Sequence, residues 1–140
     1  MIYGIGVDLV NIRRIEKVIH RWGTRFLDRV FTSQEIELCT QRPNSVSALA
    51  LRFAAKEAFS KAIGLGMRKG IRWRDIEVVH NSNGRPDLNV TGNALNFCRE
   101  QGIVSWFVTL SDESGYGIAV VAVEKGDIPP NAPPAGRSEM

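Results

Sequence analysis

The stretch RFAAKEAFSKA, from Arg52 to Ala62, constrains this chain more than any other. It reads as a helix, and at about 100° per residue its positions can be placed around a circumference. Leu51, Ala55, Ala58, Phe59 and Ala62 fall on one arc, the expected core stripe. Arg52, Lys56 and Ser60 fall together on the opposite arc, the expected solvated stripe. Glu57 and Lys61 fit neither, because they lie between Ala50, Phe53 and Ala54. A charge within an apolar arc costs free energy unless it is paired or bound to an ion. Either Glu57 and Lys61 form an i,i+4 pair on the helix edge, worth a few tenths of a kcal/mol, or they belong to a site.

The 140 residues are 44% apolar, which suits one compact domain. No apolar run approaches the roughly 18 residues of a membrane span, and the start, MIYGIGVDLV, lacks the features of a secretory leader. A cytoplasmic protein is expected. Cys39 and Cys98 lie far apart in expected helices and read as small core residues, not as a disulfide or metal pair. Net charge is only +3, so the distribution of charge matters more than its sum.

Residues 2–10 predict a buried strand. Gly4 and Gly6 clear one of its faces for close backbone approach, and Asp8 lies on that same face. Residues 12–22 predict an amphipathic helix. Its apolar side carries Ile12, Ile15, Val18, Ile19 and Trp22, and its other side Arg13, Arg14, Lys17 and Arg21, with Arg25 just beyond. Thr32 and Glu35 have capping-box spacing, which predicts a helix from Ser33 to about Thr40. The long helix starts near Ser45 and ends before Gly64 or Gly66. A hairpin turns at Asn83-Gly84, a helix runs from Thr91 to about Glu100 with Gly102 as its stop, and VSWFVTL and YGIAVVAVE form two strands joined by SDESG. The order of elements is α+β. The last strand alternates little, so both of its faces are expected to be covered, by helices or by a partner subunit. From about Gly126 the Pro-rich remainder reads as a flexible tail, leaving residues 1–125 as the domain.

Asp8 and Glu57 would make a weak all-protein site suited to Mg²⁺, which keeps waters and completes its octahedron with substrate phosphates. Lys61, one turn beyond Glu57, would meet the same phosphates. The basic face of the first helix suits an acidic protein, nucleic acid, an anionic membrane or plain solvent. GLGMRKG, which begins at Gly64, is either a phosphate-contacting loop or a helix stop. His20 and His80 have no partner motif for a triad. A non-catalytic basic module holding RNA or an acidic surface is the competing class, and the absence of aromatics interleaved with the basic run argues against single-stranded nucleic acid.

GIGVD with Asp8, RFAAKEAFSKA, the NGRP turn and VTLSDE…YGIAVVAVE occur in this order at suitable spacing. Together, over roughly residues 1–125, they resemble the bacterial holo-acyl-carrier-protein synthases, short members of the 4′-phosphopantetheinyl transferase superfamily. The resemblance implies an antiparallel sheet with a long central helix, one half-unit per chain, and a homotrimer with its site between subunits. It implies transfer of 4′-phosphopantetheine from coenzyme A to a serine of apo-acyl carrier protein for fatty acid biosynthesis, with Mg²⁺ as cofactor, adenosine 3′,5′-bisphosphate as the other product, and neither nucleic acid nor membrane as partner. Asp8 and Glu57 match the metal carboxylates, Lys61 and Arg52 match contacts to the coenzyme phosphates, and Gly84, Arg85 and Pro86 match the turn that borders the adenine. Arg13, Arg14, Lys17, Arg21 and Arg25 match the carrier-docking surface. Glu57, or a metal-bound water that it polarises, would accept the serine proton. Some members carry a phosphate-binding histidine where this chain has Ser111 and Asp112, which leaves the 3′-phosphate ligands open.

Overall fold

In a computed structural model, which describes residues 1–126, the elements run β1 (Ile2–Asn11), α1 (Ile12–Trp22), α2 (Thr24–Val30), α3 (Ser33–Thr40), α4 (Ser45–Ala62), a 3-10 turn (Trp73–Asp75), β2 (Ile76–His80), β3 (Pro86–Val90), α5 (Gly92–Gln101), β4 (Ile103–Glu113) and β5 (Tyr116–Lys125). The expected tail, from residue 127 onward, lies outside the described residues. The architecture is α+β. An antiparallel sheet in the order β1-β5-β4 packs one face on α4, and a small antiparallel β2–β3 hairpin packs beside it. Trp106 Nε1 on β4 donates to Leu88 O on β3 at 2.9 Å and ties the two together.

The glycines of β1 explain how α4 seats itself. A Cβ at Gly4 would collide with the carbonyl oxygen of Ala62, and one at Gly6 with that of Ala58. Helix and strand thus touch backbone to backbone, where only glycine against alanine fits. On the opposite side α4 is covered by α3 and by β2.

This enclosure overturns the solvated stripe. Arg52, Lys56 and Ser60 are buried. Lys56 Nζ donates to Glu35 Oε1 at 2.7 Å, to Trp73 O at 3.1 Å and to Ile76 O at 2.6 Å. Ser60 Oγ donates back to Glu57 O at 2.7 Å. A helical wheel states which residues share an arc, but not which arcs the rest of the chain will cover. Here the polar arc is covered because α3 supplies Glu35 as a counter-charge. Glu35 is itself held by the capping box with Thr32 and by the Val78 amide, which donates to Oε2 at 2.9 Å.

The predicted bounds of α1, α3 and α4 agree with the structure. The short α2 and the 3-10 turn have no counterpart in the sequence reading. On α1, Trp22 does not join the core stripe: it is 47% exposed, because the helix ends there, Gly23 turns the chain at φ 54°, and Phe26 and Leu27 of α2 take up the packing. The hairpin turn is wider than an Asn-Gly two-residue loop. Asn81 N–H donates to Arg85 O at 2.9 Å and brackets five residues, with Gly84 at φ 79°. SDE continues β4, which leaves only Ser114-Gly115 as the turn. Within the single chain β5 is covered on one face. Gly117, Ala119, Val121 and Val123 are buried against α4, while Ile118 on the other face is exposed, beside Ile5, Val7 and Leu9 of β1. Cys39 and Cys98 are free and buried, as expected, and burial pushes the Cys98 thiol up to about 12.

Candidate active site

Asp8 sits two residues beyond Gly6 on the glycine face of β1, so its side chain projects toward α4 where the helix has come closest. Lys61 does not close an i,i+4 pair with Glu57. Its ammonium reaches across to β1, donating to Asp8 Oδ1 and to Val7 O, each at 3.1 Å. Among the described residues Glu57 therefore keeps its carboxylate out of any ion pair. Partial burial and then the negative charge of Asp8 raise its pKa above the ordinary glutamate value, and Lys61 only partly opposes them. Two carboxylates that feel one another's charge thus stand beside one lysine at a partly open spot, and a cation there would relieve their repulsion.

The donor set fits a hard cation that keeps much of its water. The pair offers only carboxylate oxygens, and among the described residues no group of three His, Cys, Asp or Glu side chains gathers to enclose a metal. A Zn²⁺-type cage is thus not built there, whereas Mg²⁺ is commonly held by one or two carboxylates plus phosphates.

A second polar group lies on the other side of α4. Arg52 is 2% exposed, with Nη1 donating to Ala48 O at 3.2 Å and Nη2 to His80 Nδ1 at 3.4 Å. Its Nε is the one buried side-chain polar atom among the described residues without a hydrogen-bond partner. Among the described residues no carboxylate lies within salt-bridge distance of this buried guanidinium, a costly state that an anion would relieve. Burial, then Arg52 and Arg42, lower the pKa of His80, which favours the neutral imidazole that can accept from Arg52. His80 pairs with Pro86 in the hairpin, so the NGRP turn adjoins this group.

The structure thus brings Asp8, Glu57 and Lys61 together, and Arg52 with the Gly84–Pro86 turn. It does not bring the two groups to one place within a chain. Ser111 is exposed and pairs with Ile118, which in turn pairs with Leu9, on the outer face of the sheet away from Asp8. Gly64 follows α4 in a positive-φ conformation, φ 85°, near the Lys61 end. Arg13, Arg14, Lys17, Arg21 and Arg25 are all exposed, and the first three line, with Asn11, a cleft of about 260 Å³.

Sequence reasoning set His80 aside and did not weigh Arg42. One signal for His80 was available: it shares strand parity with buried Ile76 and Val78, so it faces α4. Glu35 and Lys56 left no comparable signal, since they are 21 residues apart.

A family model described as the 4′-phosphopantetheinyl transferase superfamily matches residues 4–121. Among curated proteins, a holo-[acyl-carrier-protein] synthase of Geobacter sp. (strain M21) is 44% identical over 125 residues, which is 89% of this chain and 100% of the relative. The chain belongs to the holo-[acyl-carrier-protein] synthase family. Solved structures agree. The synthase of Neisseria meningitidis superposes with a TM-score of 0.83 at 40% identity, covering 89% of this chain and 100% of that one. The synthase of Helicobacter pylori, solved in complex with coenzyme A, has a TM-score of 0.77 at 34% identity, covering 86% and 99%. No helix among the described residues is long and apolar enough to cross a membrane.

Proposed function

We propose that the chain transfers the 4′-phosphopantetheine group of coenzyme A to a serine of apo-acyl carrier protein, as a Mg²⁺-dependent holo-[acyl-carrier-protein] synthase of the cytoplasm. The observation that carries this reading is the convergence of Asp8 and Glu57 beside Lys61, in a chain of this family. Asp8 and Glu57 would hold Mg²⁺, which supplies positive charge against phosphate oxygens as negative charge builds on them. Lys61, whose side chain is half-exposed, adds a second cationic contact to the pyrophosphate. The serine oxygen forms a bond to the β-phosphorus, and the bond from that phosphorus to adenosine 3′,5′-bisphosphate breaks. The serine proton passes to Glu57 or to a water that it polarises.

Arg52, with its unmatched positive charge, supports binding of a coenzyme phosphate beside the Gly84-Arg85-Pro86 turn. Ser111 stands where some relatives use a histidine, on the outer face of the sheet. The separation of these groups from Asp8 and Glu57 within one chain supports a site shared between subunits. The exposed Ile5, Val7, Leu9 and Ile118 make an apolar face that a monomer seldom leaves open, which supports a homotrimer. The basic residues of α1 and Arg25 receive the acidic carrier.

Intact mass of an apo-carrier after incubation with the protein, coenzyme A and Mg²⁺ tests the reading. A gain of one phosphopantetheine that disappears with EDTA, with Asp8→Ala and with Glu57→Gln is expected. A gain that survives the substitutions would overturn the site, and no gain with several carriers would overturn the function.

A further inference from the structure

Trp22 is the one large aromatic side chain exposed amid the basic surface. The other exposed large apolar side chains among the described residues are Leu38 on α3 and those of β1 and β5 with Met1. Burial of the outer sheet face therefore leaves Trp22 unexplained. The indole instead has two guanidiniums close to it, with Arg21 Cζ 5.1 Å and Arg25 Cζ 5.9 Å from its ring centroid. Among the described residues neither arginine stands within salt-bridge distance of a carboxylate. Two like charges gathered on one ring repel, and the indole only partly compensates them. An incoming carboxylate would pair with them, while an apolar side chain beside it would cover the exposed indole. Tryptophan and arginine are, with tyrosine, the residues enriched among those that dominate the energy of protein interfaces.

We infer that Trp22, framed by Arg21 and Arg25, is the apolar anchor of the carrier-docking surface, and that it takes an aliphatic side chain of an acidic carrier helix. The occupant rests on the proposed function. The partner must be acidic because the exposed faces of α1 and α2 present Arg13, Arg14, Lys17, Arg21, Arg25 and Arg29 against only Glu16 and Asp28. The anchor sits at the junction of the two helices, where Gly23 turns the chain and leaves the ring standing outside the core. The anchor supplies the part of affinity that salt does not screen, and the arginines supply the part that it does.

Steady-state transfer to apo-carrier separates these contributions, using the full chain with Trp22→Ala, Trp22→Phe and Arg21→Gln at low and high salt. Trp22→Ala is expected to raise the carrier KM roughly tenfold, with the loss falling on that KM and not on the coenzyme KM. Trp22→Phe should recover most of it. The Trp22→Ala ratio should persist at high salt, while the Arg21→Gln ratio shrinks. If Trp22→Ala leaves the carrier KM within about twofold of the parent while Arg21→Gln raises it, the anchor is refuted and the docking surface stands. If neither change moves the carrier KM although transfer proceeds, the carrier docks elsewhere and the inference fails with the surface. No transfer by the parent removes the carrier as occupant.

Discussion

Lys56 and Lys61 stand on one helix, each against a carboxylate from another element, yet they live in different media. The Lys56–Glu35 contact is 2.7 Å with side chains 0% and 1% exposed, and the Lys61–Asp8 contact is 3.1 Å with side chains 51% and 15% exposed. Burial pulls the Lys56 ammonium below the ordinary lysine pKa, and Glu35 works against that pull. Every donor of Lys56 is spent, on one carboxylate and two carbonyls, so it can only hold α3 and β2 against α4. Lys61 retains solvent on one side and, in the proposed reaction, would exchange Asp8 for a phosphate. The difference teaches that a lysine–carboxylate pair is a clamp or a catalytic tool according to what surrounds it.

Removing the clamp should have the largest effect. Lys56→Met strands the Glu35 charge in the core, so unfolding free energy should fall by about 3–5 kcal/mol, read by urea denaturation. Adding Glu35→Gln to that variant should recover part of the loss, because the stranded charge is gone while an acceptor for the Thr32 amide remains. An equal loss for Lys61→Met would erase the distinction between the two lysines.

The open side should show the reverse balance of activity and stability. Glu57→Gln should slow transfer roughly a hundred- to a thousand-fold, or about 3–4 kcal/mol of barrier, with thermal unfolding barely changed. Lys61→Met should cost under about 1 kcal/mol of stability, yet slow transfer on the order of tenfold. Single-turnover mass spectrometry beside calorimetry measures both quantities for each variant.

The smallest expected effect concerns His80. Its folded pKa lies below the unfolded value, so the unfolded chain binds a proton first. Its penalty to the fold is absent above the usual histidine pKa of about 6.5 and grows as pH falls from there through the folded pKa. His80→Gln should therefore lose less stability than the parent between neutral and mildly acidic pH, as denaturation midpoints along a pH series would reveal. Parallel curves would mean that burial and the neighbouring Arg52 and Arg42 do not lower the His80 pKa in the fold.

Most of the element order was legible, because its signals are local. The capping box at Thr32 and Glu35, the stop at Gly102 and the glycine face of β1 each act within a few residues. α2 was missed since seven residues carry too little periodicity to register. Trp22 was misplaced because its helical phase matches Ile15 and Ile19, but the helix ends before that phase reaches the core.

By itself the sequence determined that Asp8 shares a face with Gly4 and Gly6, and that Glu57 and Lys61 lie one turn apart on a helix. Those facts follow from the periods of strand and helix, which every chain obeys. Only the tertiary structure decided that Lys61 pairs with Asp8 and not with Glu57, that Lys56 is buried, and that Arg52 is left without a counter-charge. Each of these depends on residues distant in sequence, such as Glu35 and His80, meeting α4. Electrostatic energy follows distance and burial in space, which the spacing of residues along a chain does not specify.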